Sequence, residues 1–191
     1  MGEVSTPSRC CERNIRNSIL IIKSIRWKVA DKNVFYSSNL LYNKNMILSS
    51  SAFQDGGHIP PKFTCDGWDV NPELHIQYVP EGAKSLALLV EDPDSPKPNF
   101  LHWLVWNINP KTEFIKEESK PPGSVEAING FGNPGYGGPC PHQGEHHYVW
   151  RLFALDCILP QDAQFTRDSF LEYINGHILE EANLTALYKR A

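Results

Sequence analysis

The stretch that decides the fold is residues 100–108, which read Phe-Leu-His-Trp-Leu-Val-Trp-Asn-Ile. Seven of these nine residues are apolar, and the polar ones are His102 and Asn107. Successive side chains of a β-strand point to opposite faces, so the even-numbered positions share one face and the odd-numbered positions share the other. Both faces are largely apolar, which predicts a central strand that is covered on both sides.

Three further segments are short apolar runs bounded by Gly, Pro, Asn and Asp, namely Glu73–Val79, Ser85–Val90 and His146–Leu155. This punctuation is typical of β-strands and the turns between them. Residues 113–129 are mostly polar and contain Pro121-Pro122-Gly123. We expect them to form a long surface loop.

The period of the apolar residues changes near the C-terminus. Within residues 167–189 their spacing fits two short amphipathic helices, separated near Asn175–Gly176, where glycine can end a helix. The complete pattern predicts a mainly β fold, a β-sandwich closed by short C-terminal helices.

The composition is that of one ordinary globular domain. The chain has 191 residues, of which 41% are hydrophobic and 21% charged, with 15 Pro and 13 Gly. This is enough apolar material for one core, which excludes disordered, collagen-like and disulfide-scaffold proteins.

The net charge of −4 averages two unlike parts of the chain. Residues 1–45 carry eight Lys/Arg and three Asp/Glu, whereas residues 46–191 carry ten and nineteen. We expect a basic N-terminal extension over residues 1–45 and one domain over residues 46–191. The acidic domain lacks the cluster of basic residues that a phosphate backbone requires, so we expect no nucleic-acid partner.

The five cysteines are odd in number and show no C-x-x-C spacing; they are Cys10, Cys11, Cys65, Cys140 and Cys157. We expect reduced thiols in a cytoplasmic protein. The longest apolar run near the start, Ile19–Ile22, is far too short to span a bilayer, so no transmembrane segment is expected. The small-residue cleavage pattern of a signal peptide is also missing from this leader.

Three segments concentrate unusual polar residues. The first is Glu91-Asp92-Pro93-Asp94-Ser95-Pro96, the second is His102, and the third is the Gly- and Pro-rich run 130–141 followed by His146-His147-Tyr148. Each also has an ordinary structural explanation: an Asp-Pro turn, a core histidine with a satisfied hydrogen bond, and a Gly-Pro bend. Their occurrence together in one small domain favours a binding site.

These motifs, in this order, resemble the phosphatidylethanolamine-binding protein (PEBP) family, also called the Raf-kinase-inhibitor-like family. The resemblance covers about residues 46–190. The short loop between Pro96 and His102, and a helix start at Gly176-His177-Ile178-Leu179, are most similar to its bacterial and archaeal YbhB/YbcL-type branch, which is UPF0098-like.

The resemblance implies a β-sandwich with a small anion pocket at one end. The pocket would receive a phosphate-like group, from phosphoethanolamine, a phospholipid headgroup or a phosphorylated ligand. Two imidazoles, a tyrosine hydroxyl and backbone N–H groups can all donate hydrogen bonds to an anion. The family pattern assigns the following ligand-binding residues, with Tyr136 at the rim: Asp92, Asp94, Pro96, His102, Tyr136, Gly138, Pro139, His146 and Tyr148.

The carboxylate of Asp92 would orient His102 rather than touch an anion, because like charges repel. The chain departs from the family pattern at His147, where an arginine is usual, and at His142, where a proline is usual. Alternation along the strand places His147 opposite His146, so we expect this change to affect a structural ion pair more than the pocket. His142 would add a titrating donor near the mouth.

We therefore expect a non-enzymatic binding protein without cofactor, metal or catalytic residues. The resemblance also implies kinase-inhibitor-like regulation of signalling, although the C-terminal features that eukaryotic members use have no match here. A homodimer is expected, and no sequence motif names another protein partner. The alternative is a small hydrolase or metal-assisted enzyme that uses the His, Asp and Cys cluster, with Cys140 as a thiolate beside His142 or His146.

Overall fold

The computed structural model describes residues 44–97 and 99–190. These residues form nine strands, one α-helix and a 3-10 turn at Pro61–Phe63. The strands are β1 (Ile47–Ser50), β2 (Gly57–His58), β3 (Leu74–Gln77), β4 (Ser85–Asp92), β5 (Phe100–Ile108), β6 (Phe114–Ile115), β7 (Val125–Glu126), β8 (Glu145–Leu155) and β9 (Ile178–Lys189), and the helix is α1 (Arg167–Ile174). The predicted mainly β fold is confirmed.

The strands form a small sheet in the order β1-β3-β6 and a large sheet in the order β2-β9-β8-β4-β5-β7. All four strands predicted from the sequence are present, and β5 has the predicted bounds. The prediction that β5 is covered on both faces is confirmed, because seven of its nine residues are buried. Its predicted central position is wrong, since β5 lies second from the edge and the fully buried β4 lies between it and β8.

Both faces of the large sheet are covered. Trp103 and Val105 of β5 pack in the core together with residues of the small sheet, including Leu74 and Ile76. On the other face, Trp106 contacts Phe165, and Phe165 contacts Phe170 of α1. The predicted first helix is therefore present. It covers β5 through Phe165 and covers β8 through the contact of Phe170 with Phe153.

The second predicted helix is wrong. Residues 178–189 form β9, which pairs antiparallel with β8 along almost its whole length. The helical pattern counted Ile178 and Leu179 as buried, but these residues are 40% and 44% exposed. The buried positions of the strand are 182, 184, 186 and 188, which is the two-residue period of a sheet. The family-like helix start at Gly176-His177-Ile178-Leu179 is wrong for the same reason.

The predicted surface loop 113–129 is mostly irregular, as expected, but it also contributes the short strands β6 and β7. Several of its side chains are buried, including Ile115, Ala127 and Asn129. No helix within the described part of the chain is long and apolar enough to cross a membrane. The run Ile19–Ile22 lies outside the described residues.

The expectation of reduced thiols is wrong for two cysteines. Cys65 and Cys140 form a disulfide, although they are 75 residues apart in sequence. The backbone N–H of Cys65 also donates to the carbonyl of Pro139 at 3.1 Å, so the segment after the 3-10 turn is attached to the Gly-rich run. Cys157 is buried and lies outside the disulfide. Cys10 and Cys11 lie outside the described residues.

The disulfide is expected to contribute substantially to stability. Closing a loop of this length restricts the unfolded chain and contributes about 4 kcal/mol. The double variant Cys65→Ser/Cys140→Ser should lose that amount in urea unfolding, and a reductant should destabilise the wild type but leave the double variant unchanged. A wild type that is insensitive to reductant and no more stable than the double variant would contradict the disulfide.

Candidate functional site

A cavity of about 240 Å³ opens where β4 ends and β5 and β8 begin. Its lining contains two of the histidines singled out in the sequence, together with the carboxyl of Asp92 and the ring of Phe100. The complete lining is Asp92, Ser95, Pro96, Phe100, His102, Gly130, Phe131, Cys140, Pro141, His142 and His146. The described surface has two larger open grooves, one of which adjoins the cavity at Phe100 and Gly130, and neither includes any of the nine predicted site residues.

His102 lies on β5 and is only 2% exposed. Its Nδ1 is 2.6 Å from the carbonyl of Gly137, and because that oxygen can only accept, Nδ1 carries the hydrogen. In return the N–H of Gly137 donates to the carbonyl of His102 at 2.9 Å. Burial lowers the pKa of His102, so the ring is neutral near pH 7 and Nε2 carries a lone pair.

Two aromatic rings contribute to the burial of His102. Phe100 and Phe131 contact the imidazole edge-on, with ring centroids 5.2 Å and 5.5 Å away. Both rings also line the cavity. This wall excludes water from the imidazole, which is the physical cause of its lowered pKa.

His146 lies on β8 and pairs with Asp92. Its Nδ1 is 2.7 Å from Oδ2 of Asp92, and Nε2 is 3.2 Å from the carbonyl of Gln143. Acceptors at both ring nitrogens fix the orientation of the imidazole. The expectation that Asp92 orients His102 is therefore wrong: Asp92 orients His146, and the Gly137 carbonyl orients His102.

Asp94 turns away from the cavity. Its Oδ2 accepts hydrogen bonds from the backbone N–H of His147 at 2.8 Å and from Nδ1 of the same residue at 2.7 Å. These bonds lower the pKa of Asp94. The predicted placement of His147 opposite His146 is confirmed, because His147 is exposed and hydrogen-bonded to Asp94, whereas His146 is buried. Its predicted effect on an ion pair stays a prediction.

Three glycines of the Gly-rich run donate their N–H groups within the fold rather than to the cavity. The N–H of Gly138 donates to Oδ1 of Asp69 at 2.6 Å, and the N–H of Gly135 donates to the carbonyl of Ala127. Since the N–H of Gly137 is bound to His102, these three donors are all used within the fold. The expectation that this run supplies backbone donors to an anion is wrong at these positions.

Gly138 is required for packing rather than for ligand binding. A Cβ at this position would lie 2.6 Å from the carbonyl oxygen of Phe63 and 2.8 Å from Cα of Thr64. Neither backbone atom can move aside easily, so only glycine lets the two segments approach.

Asn129 organises the Gly-rich run from inside. Its Oδ1 accepts from the N–H of Phe131 at 2.9 Å, and its Nδ2 donates to the carbonyl of Gly135 at 3.0 Å. Sequence reasoning missed both Asn129 and Asp69. Asn129 stands directly before the Gly-rich run, and that position is the one signal that could have identified it.

The two predicted tyrosines occupy different surroundings. The hydroxyl of Tyr136 donates to the carbonyl of Phe63 at 2.9 Å, and its ring packs on Trp103, away from the cavity lining.

Tyr148 contacts the rings of His102 and His146, at centroid distances of 5.1 Å and 6.4 Å. Its hydroxyl is buried and makes no hydrogen bond of normal geometry within the described residues, although the Asp92 carboxyl and the N–H of Cys140 lie close to it. Burial and the nearby charge of Asp92 raise the pKa of Tyr148, so its hydroxyl stays protonated.

The structure thus brings five of the nine predicted residues together. Asp92, Pro96, His102 and His146 line the cavity, and Tyr148 packs against both histidines. Four others lie outside the lining: Asp94, Tyr136, Gly138 and Pro139. His142 lies at the mouth and is exposed, whereas Cys140 is in the disulfide.

Comparisons with known proteins agree on one family. A family model described as Phosphatidylethanolamine-binding protein matches residues 49–189. A UPF0098 protein of Methanothermobacter thermautotrophicus is 43% identical over 150 residues, which cover 76% of this chain and 99% of the relative. A UPF0098 protein of Archaeoglobus fulgidus is also 43% identical, over 74% of this chain, which spans only half the length of that relative.

Two solved structures share the fold. The PEBP homolog CT736 of Chlamydia trachomatis has a TM-score of 0.73 and 36% identity, over 77% of this chain and 99% of that one. YbcL of E. coli, described as a new member of the mammalian PEBP family, has a TM-score of 0.72 and 27% identity, over 78% of this chain and all of that one.

The buried, neutral His102 makes stability depend on pH. An unfolded histidine binds a proton near pH 6.5, whereas the folded His102 does so only at lower pH. The free energy of unfolding should therefore fall by up to about 1.4 kcal/mol per pH unit as pH drops below that value. The variant His102→Gln removes this contribution, so its unfolding free energy should fall less between pH 7.5 and pH 5.5.

Urea unfolding at the two pH values measures the difference. The control is His142→Gln, which removes an exposed imidazole and should change the pH dependence of stability less than His102→Gln does. An equal loss of stability on acidification in the wild type and in His102→Gln would show that His102 is not the group responsible.

Proposed function

Because the chain belongs to the phosphatidylethanolamine-binding protein family, we propose that it is a binding protein whose cavity takes a small phosphate-like anionic group. The observation that carries the proposal is the buried Tyr148 hydroxyl, which lies beside two histidines and makes no hydrogen bond of normal geometry, although the Asp92 carboxyl and the N–H of Cys140 are near it. A buried hydroxyl without a hydrogen bond of normal geometry costs free energy, and a ligand oxygen that accepts from it would remove that cost.

The size of the cavity supports a small group. Its volume of about 240 Å³ is below the roughly 300–1,000 Å³ of pockets that take drug-sized ligands. A phosphoryl group with a few attached atoms matches this space. The remainder of a larger ligand, such as a lipid headgroup or a phosphorylated compound, would extend past the exposed ring of His142.

The charges support an anion that enters together with a proton. Oδ2 of Asp92 accepts a hydrogen bond from Nδ1 of His146, so this oxygen is already engaged within the protein. His102 is neutral in the free protein, and an anion beside it would favour the protonated ring, which then donates from Nε2. Anion binding is therefore coupled to proton uptake at His102.

The enzymatic alternative has less support. The disulfide occupies Cys140, which removes the thiolate nucleophile of that reading. Asp92 and His146 are bound to each other rather than aimed at a common open point. A binding function needs no activated nucleophile and is the simpler proposal.

Four expectations from the sequence stay predictions: kinase-inhibitor-like regulation of signalling, a homodimer, a separate basic extension over residues 1–45, and a cytoplasmic location. The Cys65–Cys140 disulfide weighs against the last of these, because structural disulfides are rare in the reducing cytoplasm. Absence of a nucleic-acid partner likewise stays a prediction from the acidic domain.

A pair of tyrosine variants tests the pocket. Titration with dimethyl phosphate, followed by calorimetry or NMR, should show weak saturable binding. Tyr148→Phe removes one hydrogen bond to a charged ligand and should weaken binding by roughly 10- to 100-fold. Tyr136→Phe is the matched control, since that hydroxyl bonds to Phe63, and it should keep wild-type affinity. Absence of saturable binding, or equal effects of the two variants, would refute the proposal.

The coupled proton gives a second test. Dimethyl phosphate keeps one negative charge between pH 5 and pH 8, whereas a phosphate monoester gains charge around pH 6. Affinity for the diester should rise as pH falls, by up to about tenfold per unit, until His102 is protonated in the free protein. His102→Gln should abolish most of this dependence. Affinity that is independent of pH in the wild type would rule out proton uptake at His102.

A further inference from the structure

A second cluster of ligand-type side chains lies far from the cavity. Asp156 and Cys157 directly follow β8, and His177 directly precedes β9. One ligand atom from each residue lies within 4.8 Å of the other two. Asp156 is ten residues along β8 from His146, which corresponds to roughly 33 Å of extended strand. The cluster is therefore independent of the proposed anion pocket.

The backbone of each residue is held by a different part of the fold. The N–H of Asp156 donates to the carbonyl of His177 at 3.0 Å, and the N–H of His177 donates to Ile174 of α1 at 2.9 Å. Ser85, the first residue of β4, donates its hydroxyl to the carbonyl of Cys157 at 2.6 Å. These bonds attach Cys157 to β4 and His177 to α1, and they join Asp156 to His177. The three ligand positions are therefore preorganised.

The three donors form a coherent metal-ligand set. A thiolate, an imidazole and a carboxylate are the groups that bind Zn²⁺, and they lie about 2.0–2.3 Å from the ion. Tetrahedral geometry at those bond lengths separates the ligand atoms by about 3.3–3.6 Å. Because the atoms already lie within 4.8 Å of one another, shifts of about one ångström or less bring them to a common ion.

The simplest alternative is an ion pair alone. Nδ1 of His177 is 2.8 Å from Oδ1 of Asp156, and this bond by itself would fasten β8 to the turn before β9. It does not involve the sulfur of Cys157, which lies within 4.8 Å of both of these groups. Cys157 is 2% exposed, whereas the Asp156 side chain is 47% exposed and leaves a route for an ion.

We propose that Asp156, Cys157 and His177 bind Zn²⁺ or a similar thiolate-binding divalent metal, with the fourth position open to water on the side of Asp156. On binding, the Cys157 thiol releases its proton to solvent. The hydrogen shared between Asp156 and His177 leaves Nδ1, and a neutral ring carries it on Nε2 instead. No oxidant or reductant is required.

Cobalt provides the test, because Co²⁺ substitutes for Zn²⁺ and gives an absorption band when a thiolate binds it. The experiment uses the full chain with Cys10→Ser and Cys11→Ser, without reductant, so that Cys157 is the remaining thiol. One equivalent of Co²⁺ should produce the thiolate band, and Zn²⁺ should displace it. Cys157→Ser should abolish the band.

Substitution of two acidic residues distinguishes a metal site from an ion pair. Asp156→Asn keeps the size of the side chain but removes a charged ligand, and it should weaken Co²⁺ binding at least tenfold. Asp162→Asn, an exposed acid in the same connection, is the matched control and should bind as the parent does. Circular dichroism checks that each variant is folded. If Cys157→Ser does not fold, the comparison of Asp156→Asn with Asp162→Asn decides whether the cluster binds a metal. A parent protein without the band, or equal binding by both aspartate variants, would overturn the proposal.

Discussion

The structure depends on burying two adjacent carboxylates at the end of β4. Glu91 and Asp92 are 6% and 4% exposed, and as neighbours on a strand they point to opposite faces of the sheet. Each face must therefore supply its own hydrogen-bond or ion-pair partner. Glu91 binds Arg167 at 2.6 Å and Arg151 at 3.3 Å, whereas Asp92 binds His146 at 2.7 Å. Removing one partner of such a buried pair typically costs about 3–5 kcal/mol.

This requirement joins the cavity to the rest of the sandwich. β8 contributes both Arg151 on one face and His146 on the other, so the register of β8 against β4 decides both ion pairs at once. A slip by one residue would exchange the two faces of β8 and take away the partner that β8 supplies to each carboxylate. On the outer face, Arg167 draws the start of α1 onto the sheet. The position of His146 in the cavity is thus set by the same pairing that places the helix.

Local patterns in the sequence were sufficient for β3, β4, β5 and β8, because alternation and turn residues act over a few neighbours. The features that escaped prediction are contacts between distant segments. The partner of Asp92 is 54 residues away, the partner of the Gly138 N–H is 69 away, and the disulfide joins residues 75 apart. The sequence of β9 fits a helical pattern because its first two residues, Ile178 and Leu179, are apolar although they are exposed. They hide the two-residue alternation of buried and exposed positions in the remainder of the strand. Cys157 and His177 show no motif spacing, since only the β8–β9 pairing brings them together.

Under the proposed function, the side chains of the cavity would let an acidic domain select a small anion. No Lys or Arg occurs among the cavity-lining residues that the structure describes. The Gly-rich run is held by Asp69, Asn129 and the disulfide, and the N–H groups of Gly135, Gly137 and Gly138 are bonded within the fold. The buried donors of the cavity include the neutral hydroxyl of Tyr148 and the imidazole of His102, which becomes positive only by taking up a proton. A permanent cation at the surface would attract any polyanion. A positive charge that forms on His102 only when a ligand binds would stabilise only an anion small enough to reach that ring.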